Sequence, residues 1–205
     1  MAQDYFKYYN SKTLPFLMVG LFALLWLAKD NWHLSISLFG ILSTSLILVS
    51  TYLWKFPPFK YLFWVDNFSG RYEGLLQYQF KDDEGNQKSG KLKHVKIVNQ
   101  NGHRITIHSF TIKEDGSKSS LSVNKGMHVE KTPDEKHFHL IYNYLNDGST
   151  EQGFPPHYGT EVVKFIKNGN QKKLSGGYFT NRQPFQTKGE YIDLNWVSND
   201  TTHEF

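Results

Sequence analysis

No cysteine occurs among the 205 residues. That excludes a disulfide framework, thiolate zinc sites, iron–sulfur clusters and a cysteine nucleophile. It is compatible with a reducing compartment. Catalytic signatures are missing as well: there is no Gly-x-Ser-x-Gly, no His-Glu-x-x-His, no P-loop and no Rossmann glycine fingerprint. Large charge excess is absent too. The 23 Lys+Arg against 19 Asp+Glu leave a net charge of +4, a mild preference for anionic partners such as phosphates or lipid headgroups. Nine histidines are scattered along the chain. His137 and His139 share a strand face, and His94 and His108 are candidates to lie nearby, but local spacing fixes no third ligand, so no metal site is assigned. Acidic residues fall mostly in turns (Asp82, Asp83, Glu84, Glu114, Asp115, Asp134, Glu135). No acid, base and nucleophile set converges, so no enzyme is expected.

Aromatic residues are abundant, at 16% of the chain, with 16 Phe, 12 Tyr and 5 Trp. With 39% hydrophobic residues this speaks for a packed, β-rich domain and against wholesale disorder. The mean hydropathy of −0.50 averages two dissimilar parts. Near the N-terminus, Leu14–Ala28 and Leu34–Trp54 carry no charge. As helices the first would extend about 22 Å and the second about 32 Å, the latter matching a bilayer core. Pro15 sits where a helix would start. Only Lys29–Asp30–Asn31–Trp32–His33 separates the runs, so the reading is an antiparallel transmembrane hairpin. A cleaved signal peptide fits less well, because Trp26 occupies the −3 position before Ala28 and a longer apolar run follows. Lys7 and Lys12 before the hairpin and Lys55 and Lys60 after it place both termini in the cytoplasm. Small residues along the second run (Ser35, Gly40, Ser43, Thr44, Ser45, Ser50, Thr51) permit close helix contact, within the hairpin or between copies. The Pro57–Pro58 pair ends the helix, and the aromatics around it suit a membrane interface.

From Asp66 onward short alternating runs are separated by turn signals such as Asn101–Gly102, Asp115–Gly116 and Asn168–Gly169. Eight strands are expected: Gly70–Phe80, Lys91–Asn99, Arg104–Phe110, Ser117–Val129, His137–Asn146, Thr160–Lys167, Gln171–Thr180 and Gln186–Trp196. Eight antiparallel strands in this length predict an up-and-down β-barrel, with a sandwich as the alternative. The organisation is then 1–56 transmembrane hairpin, 57–65 interfacial linker, 66–198 cytosolic barrel and 199–205 loose tail. Alternation puts Tyr72, Gly74, Leu76, Tyr78 and Phe80 on one face, and Phe138, Leu140, Tyr142 and Tyr144 on one face of a later strand. In the last strand it opposes Ile192, Leu194 and Trp196 to Tyr191, Asp193 and Asn195.

The most distinctive stretch is Gly176–Leu194, GGYFTNRQPFQTKGEYIDL, two strands around a turn of Asn181, Arg182, Gln183 and Pro184. Tyr178 for stacking, Arg182 for phosphate, and Thr180, Thr187 and Lys188 beside them suit a nucleotide-like anion. An ordinary hairpin with a solvated arginine fits the same residues.

Two apolar N-terminal runs, the Pro-Pro junction, FSGRYEG at Phe68–Gly74, a β-rich domain and the YFTNR…TKGE ending together resemble one family across nearly the whole chain. It is similar to the SMODS-associating two-transmembrane, β-strand-rich effectors of CBASS anti-phage defence, the CD-NTase-associated membrane effectors. The resemblance implies a bacterial inner-membrane, multi-pass protein whose barrel senses a cyclic dinucleotide made by a partner CD-NTase. Ligand binding then drives homo-oligomerisation, the lipid bilayer is disrupted and the infected cell dies. No further cofactor and no DNA or RNA partner are implied. On that reading the bases stack on Tyr72, Tyr78, Tyr144 or Tyr178, and Arg182, Arg104, Lys188 or Arg71 meet the phosphates. Thr180, Thr187 and Asn181 read ribose or base edges, and the family's C-terminal segment carries onto Tyr178, Thr180, Arg182, Thr187 and Gly189. The alternative is a membrane-tethered, lipocalin-like barrel with an apolar ligand.

Overall fold

The computed structural model describes residues 4–32, 37–82, 84–148, 155–182 and 186–205. Contacts divide the chain into two units: Met1–Asn67 with Gln100–Arg104, and Phe68–Asn99 with Ile105–Phe205.

The first unit holds helix α1 (Thr13–Trp32), helix α2 (Leu38–Leu48), a π-helical turn at Val49–Leu53 and a 3-10 turn at Phe59–Leu62. The expected transmembrane hairpin is corrected here, and with it the multi-pass inner-membrane placement with both termini and the barrel cytoplasmic. No helix among the described residues is long and apolar enough to cross a membrane. In α1 the uncharged stretch stops at Ala28, and Lys29 stands in the last turn. The second apolar run is not one long α-helix. Its α-helical part has 11 residues, about 16 Å against a core of about 30 Å. The π turn follows, with Ser50 buried in a polar cluster. Ser50 Oγ lies 2.5 Å from the Tyr5 hydroxyl and 3.2 Å from His103 Nδ1. The junction aromatics also do not form an exposed belt throughout: Tyr8, Tyr9, Trp54 and Phe63 are buried, and Tyr9 bridges Phe63. His33 of the expected link and Leu34–Ile36 of the second run lie outside the described residues.

The second unit is all β. Its strands are β1 (Gly70–Lys81), β2 (Gln87–Gln100, whose last residue falls in the first unit), β3 (Ile105–Ile112), β4 (Lys118–Asn124), β5 (His128–Lys131), β6 (Phe138–Asn146), β7 (His157–Asn168), β8 (Gln171–Thr180) and β9 (Thr187–Ser198). The sheet order is β4-β3-β2-β1-β9-β8-β7-β6-β5, and a further β4–β6 pairing closes it. The result is an eight-stranded antiparallel barrel with one extra strand. The extra strand is β5, which pairs with the first half of β6 while β4 pairs with its last residues. The single run expected over Ser117–Val129 is therefore two strands, separated at Lys125–Gly126–Met127.

One end of the barrel is filled. Phe68, Tyr72, Phe138, Leu140, Phe165, Leu174 and Leu194 are buried there, with Phe68 edge-on to Phe138 and Phe165. The alternation expected for β1 and β6 puts Tyr72, Leu76, Leu140, Tyr142 and Tyr144 inward, where they are buried, and leaves Leu75 exposed. In β9 the alternation breaks. Asp193 has φ +50, the β1–β9 register shifts between Glu73 and Leu75, and Tyr191 and Leu194 are both buried. A β-bulge inserts one residue and so switches face parity along the strand. In the C-terminal segment the Phe205 ring stands edge-on to Phe110, and Glu204 pairs with Arg71.

Candidate functional site

The other end of the barrel is hollow. It lies where β1, β3, β6 and β8 finish and β2, β4, β7 and β9 begin. A cavity of about 500 Å³ opens there, lined by residues of all eight barrel strands. That volume falls in the range of small-ligand pockets. Six of the candidate ligand contacts line it, Tyr78, Tyr144, Tyr178, Thr180, Arg182 and Thr187, and so does His94.

Glycines opposite the tyrosines make this arrangement possible. Tyr78 pairs with Gly90 across β1–β2, Tyr144 with Gly159 across β6–β7, and Tyr178 with Gly189 across β8–β9. At each of these glycines an added Cβ would collide with the ring of the paired tyrosine. Each ring thus lies across a site without a side chain, a cross-strand device that pins register. Tyr144 and Tyr178 then meet edge to face at 6.4 Å. Burial pushes the Tyr178 hydroxyl up to about 12 and raises that of Tyr144 further, so both rings are neutral stacking surfaces with a proton to donate.

Thr180 and Thr187 have a local task. Their hydroxyls lie 3.1 Å apart, and Thr180 Oγ1 accepts from the backbone N–H of Thr187 and of Arg182, both at 3.2 Å. They close the β8–β9 ladder and fix where Arg182 leaves it. Asn181 Oδ1 accepts from the Tyr158 N–H at 3.2 Å, so Asn181 ties β8 to β7. Arg182 is half-buried, and burial lowers its pKa while Tyr178 and Tyr78 oppose that shift. Guanidinium groups stay protonated in proteins, so the cavity rim holds a partly desolvated cation. Gln183 and Pro184 of the same turn lie outside the described residues.

Four other candidates are placed elsewhere. Tyr72 is fully buried in the filled end, its hydroxyl donating to the Phe68 carbonyl at 2.7 Å. Arg104 is exposed in the turn before β3 and belongs to the first unit. Lys188 is exposed and lines an outer groove with Phe179 and Gln186. Arg71 is engaged by Glu73 and Glu204.

Sequence reasoning missed the polar layer between cavity and core. Lys96 is fully buried, with Nζ 2.6 Å from Glu161 Oε2 and 2.7 Å from Ser109 Oγ. The Tyr142 hydroxyl donates to the same Glu161 oxygen at 2.6 Å, and Lys96 sits over the Tyr191 ring at 4.4 Å. Burial lowers the pKa of Lys96 and Glu161 opposes it. Beside this cluster His94 stacks on Tyr191 at 4.9 Å. Its Nδ1 meets Thr111 Oγ1 at 3.2 Å. Burial, then Lys96, hold the imidazole well below its usual range, so it is neutral. One signal for this layer was present: Glu161 stands between Gly159, Val163 and Phe165 on the apolar face of its strand.

Among the described residues no group of three or more His, Cys, Asp or Glu is placed to hold a metal ion. No curated protein and no solved structure matches the chain. Residues 63–194 match the family model described as Cap15, cyclic dinucleotide receptor domain. The match covers well over half of the chain and includes every residue of the cavity, so the protein belongs to the family of the Cap15 cyclic dinucleotide receptor domain.

Proposed function

We propose that the protein is a CBASS effector whose barrel cavity is a non-catalytic receptor for a cyclic dinucleotide second messenger from a partner CD-NTase. The observation that carries this is the convergence of Tyr78, Tyr144, Tyr178 and Arg182 on one cavity. Rings supply stacking surfaces for bases, each contributing about 1–3 kcal/mol, and a desolvated guanidinium takes a phosphate through charge-assisted hydrogen bonds. Ser109, Thr111, Ser120, Ser122 and Asn146 place hydroxyl and amide groups in a cavity lining that is otherwise mostly apolar; lipid, not nucleotide, extracted from the purified protein would favour the lipocalin-like alternative.

The effector step attached to this receptor is ligand-driven association of copies, ending in disruption of the inner membrane and death of the infected cell. No spanning helix is invoked. Exposed apolar side chains of the first unit, among them Phe16, Val19, Leu24 and Phe39, are surface that association would bring together. Sedimentation of the full chain with and without cyclic dinucleotide, followed by dye release from anionic vesicles, tests it. Larger species and ligand-dependent release are expected. An unchanged size at saturating ligand contradicts the association step.

A further inference from the structure

Resting on that receptor reading, we infer that Glu161 and His94 form a base-reading floor. One nucleobase enters first and donates its protonated ring nitrogen to the Glu161 carboxylate, while the phosphates stay at the Arg182 end. Of the buried pair, Glu161 lines the cavity and Lys96 does not, so the ligand meets the carboxylate and not the ammonium. A carboxylate repels phosphate and accepts N–H donors. Lys96 Nζ and the Tyr142 hydroxyl both donate to Oε2, and the Tyr191 hydroxyl also hydrogen-bonds the Glu161 carboxylate; with about four lone-pair sites, a carboxylate keeps room for one more donor. His94 also lines the cavity, and its Nε2 is buried with no hydrogen-bond partner. Buried polar atoms are nearly always paired, and an orphan at a binding site signals a missing partner. Replacing a buried ion pair by apolar residues is often neutral or stabilising, so fold stability alone does not explain a charged pair under a cavity.

The chemistry selects a base with an N–H in the ring, guanine at N1 or uracil at N3. Adenine presents an acceptor at that position. Calorimetry on the full chain with cyclic di-GMP, cyclic di-UMP and cyclic di-AMP should show at least ten-fold tighter binding of one or both ring-N–H ligands. Methylation at guanine N1 or uracil N3 should remove the advantage on the unaltered protein, a readout independent of any folding defect. Glu161→Gln should also erase it. Because that change leaves Lys96 buried without its counter-charge, the Lys96→Met, Glu161→Gln double variant serves as the second test with the same expectation. Cyclic di-AMP binding as tightly as the best ring-N–H ligand, or a preference that survives methylation and both variants, overturns the floor but leaves the receptor reading standing. Absence of binding to all three overturns both.

Discussion

At the residue scale, charge and burial give opposed roles to Arg182 and His94. Arg182→Ala removes the half-buried cation at the cavity rim and should weaken cyclic dinucleotide binding by about 1.5–3 kcal/mol, on the order of ten- to a hundred-fold. Circular dichroism should be unchanged, because the Thr180–Thr187 bonds that close the strand ends remain. Normal affinity in that variant would move the phosphate site elsewhere. His94 makes stability depend on pH. Its folded pKa is depressed, so below the ordinary histidine value of about 6.5 the unfolded chain binds a proton that the folded chain refuses. This contribution is intact above that value and lost as pH falls, by about 1.4 kcal/mol per pH unit for the one group. His103, His108 and His157 shift the same way, so the total slope is steeper. Urea denaturation at pH 7 and pH 5 should therefore show a marked loss, and His94→Asn should reduce the slope by one proton. An unaltered slope would mean His94 is protonated in the fold.

At the element scale, strand pairing sets the cavity's shape. Gly159→Ala places a methyl group against the Tyr144 ring. Overpacking of this kind costs about 1–3 kcal/mol, and displacement of Tyr144 should weaken ligand binding, which calorimetry with denaturation on the same variant would report. Retained affinity with full stability would show that the ring has room to move. The C-terminal residues act as a strap, and deleting 199–205 uncovers Phe110 and frees Arg71 from Glu204. A loss of about 1–2 kcal/mol in urea denaturation is expected from the apolar area involved; no loss would make the contact incidental. Much of the barrel was legible in sequence, since Tyr72–Phe80 and Phe138–Asn146 alternate cleanly and turn pairs mark the strand ends. What escaped has physical causes. A bulge at Asp193 reverses parity with no change in composition. Lys125–Gly126–Met127 splits a run whose flanks both have strand character. Lys96 reads as surface because lysines are rarely buried unpaired, and its partner stands 65 residues away. The uncharged N-terminal runs carried length without showing where the α-helix would give way to the π turn, and hydropathy alone does not report that break.

At the scale of the whole molecule, the barrel is filled at one end and hollow at the other, with a charged layer between. Membership of the Cap15 cyclic dinucleotide receptor family accords with a cavity that stands over a packed base. In the proposed reading, the tyrosines stack bases, Arg182 at the rim takes a phosphate and Glu161 above Lys96 selects the base, each at a different depth of one cavity. The most direct test of this account is titration calorimetry of the full chain against cyclic di- and trinucleotides. Micromolar or tighter binding to a cyclic dinucleotide, weakened at least ten-fold by Arg182→Ala, is the predicted result. A folded protein that binds none of them would contradict the account.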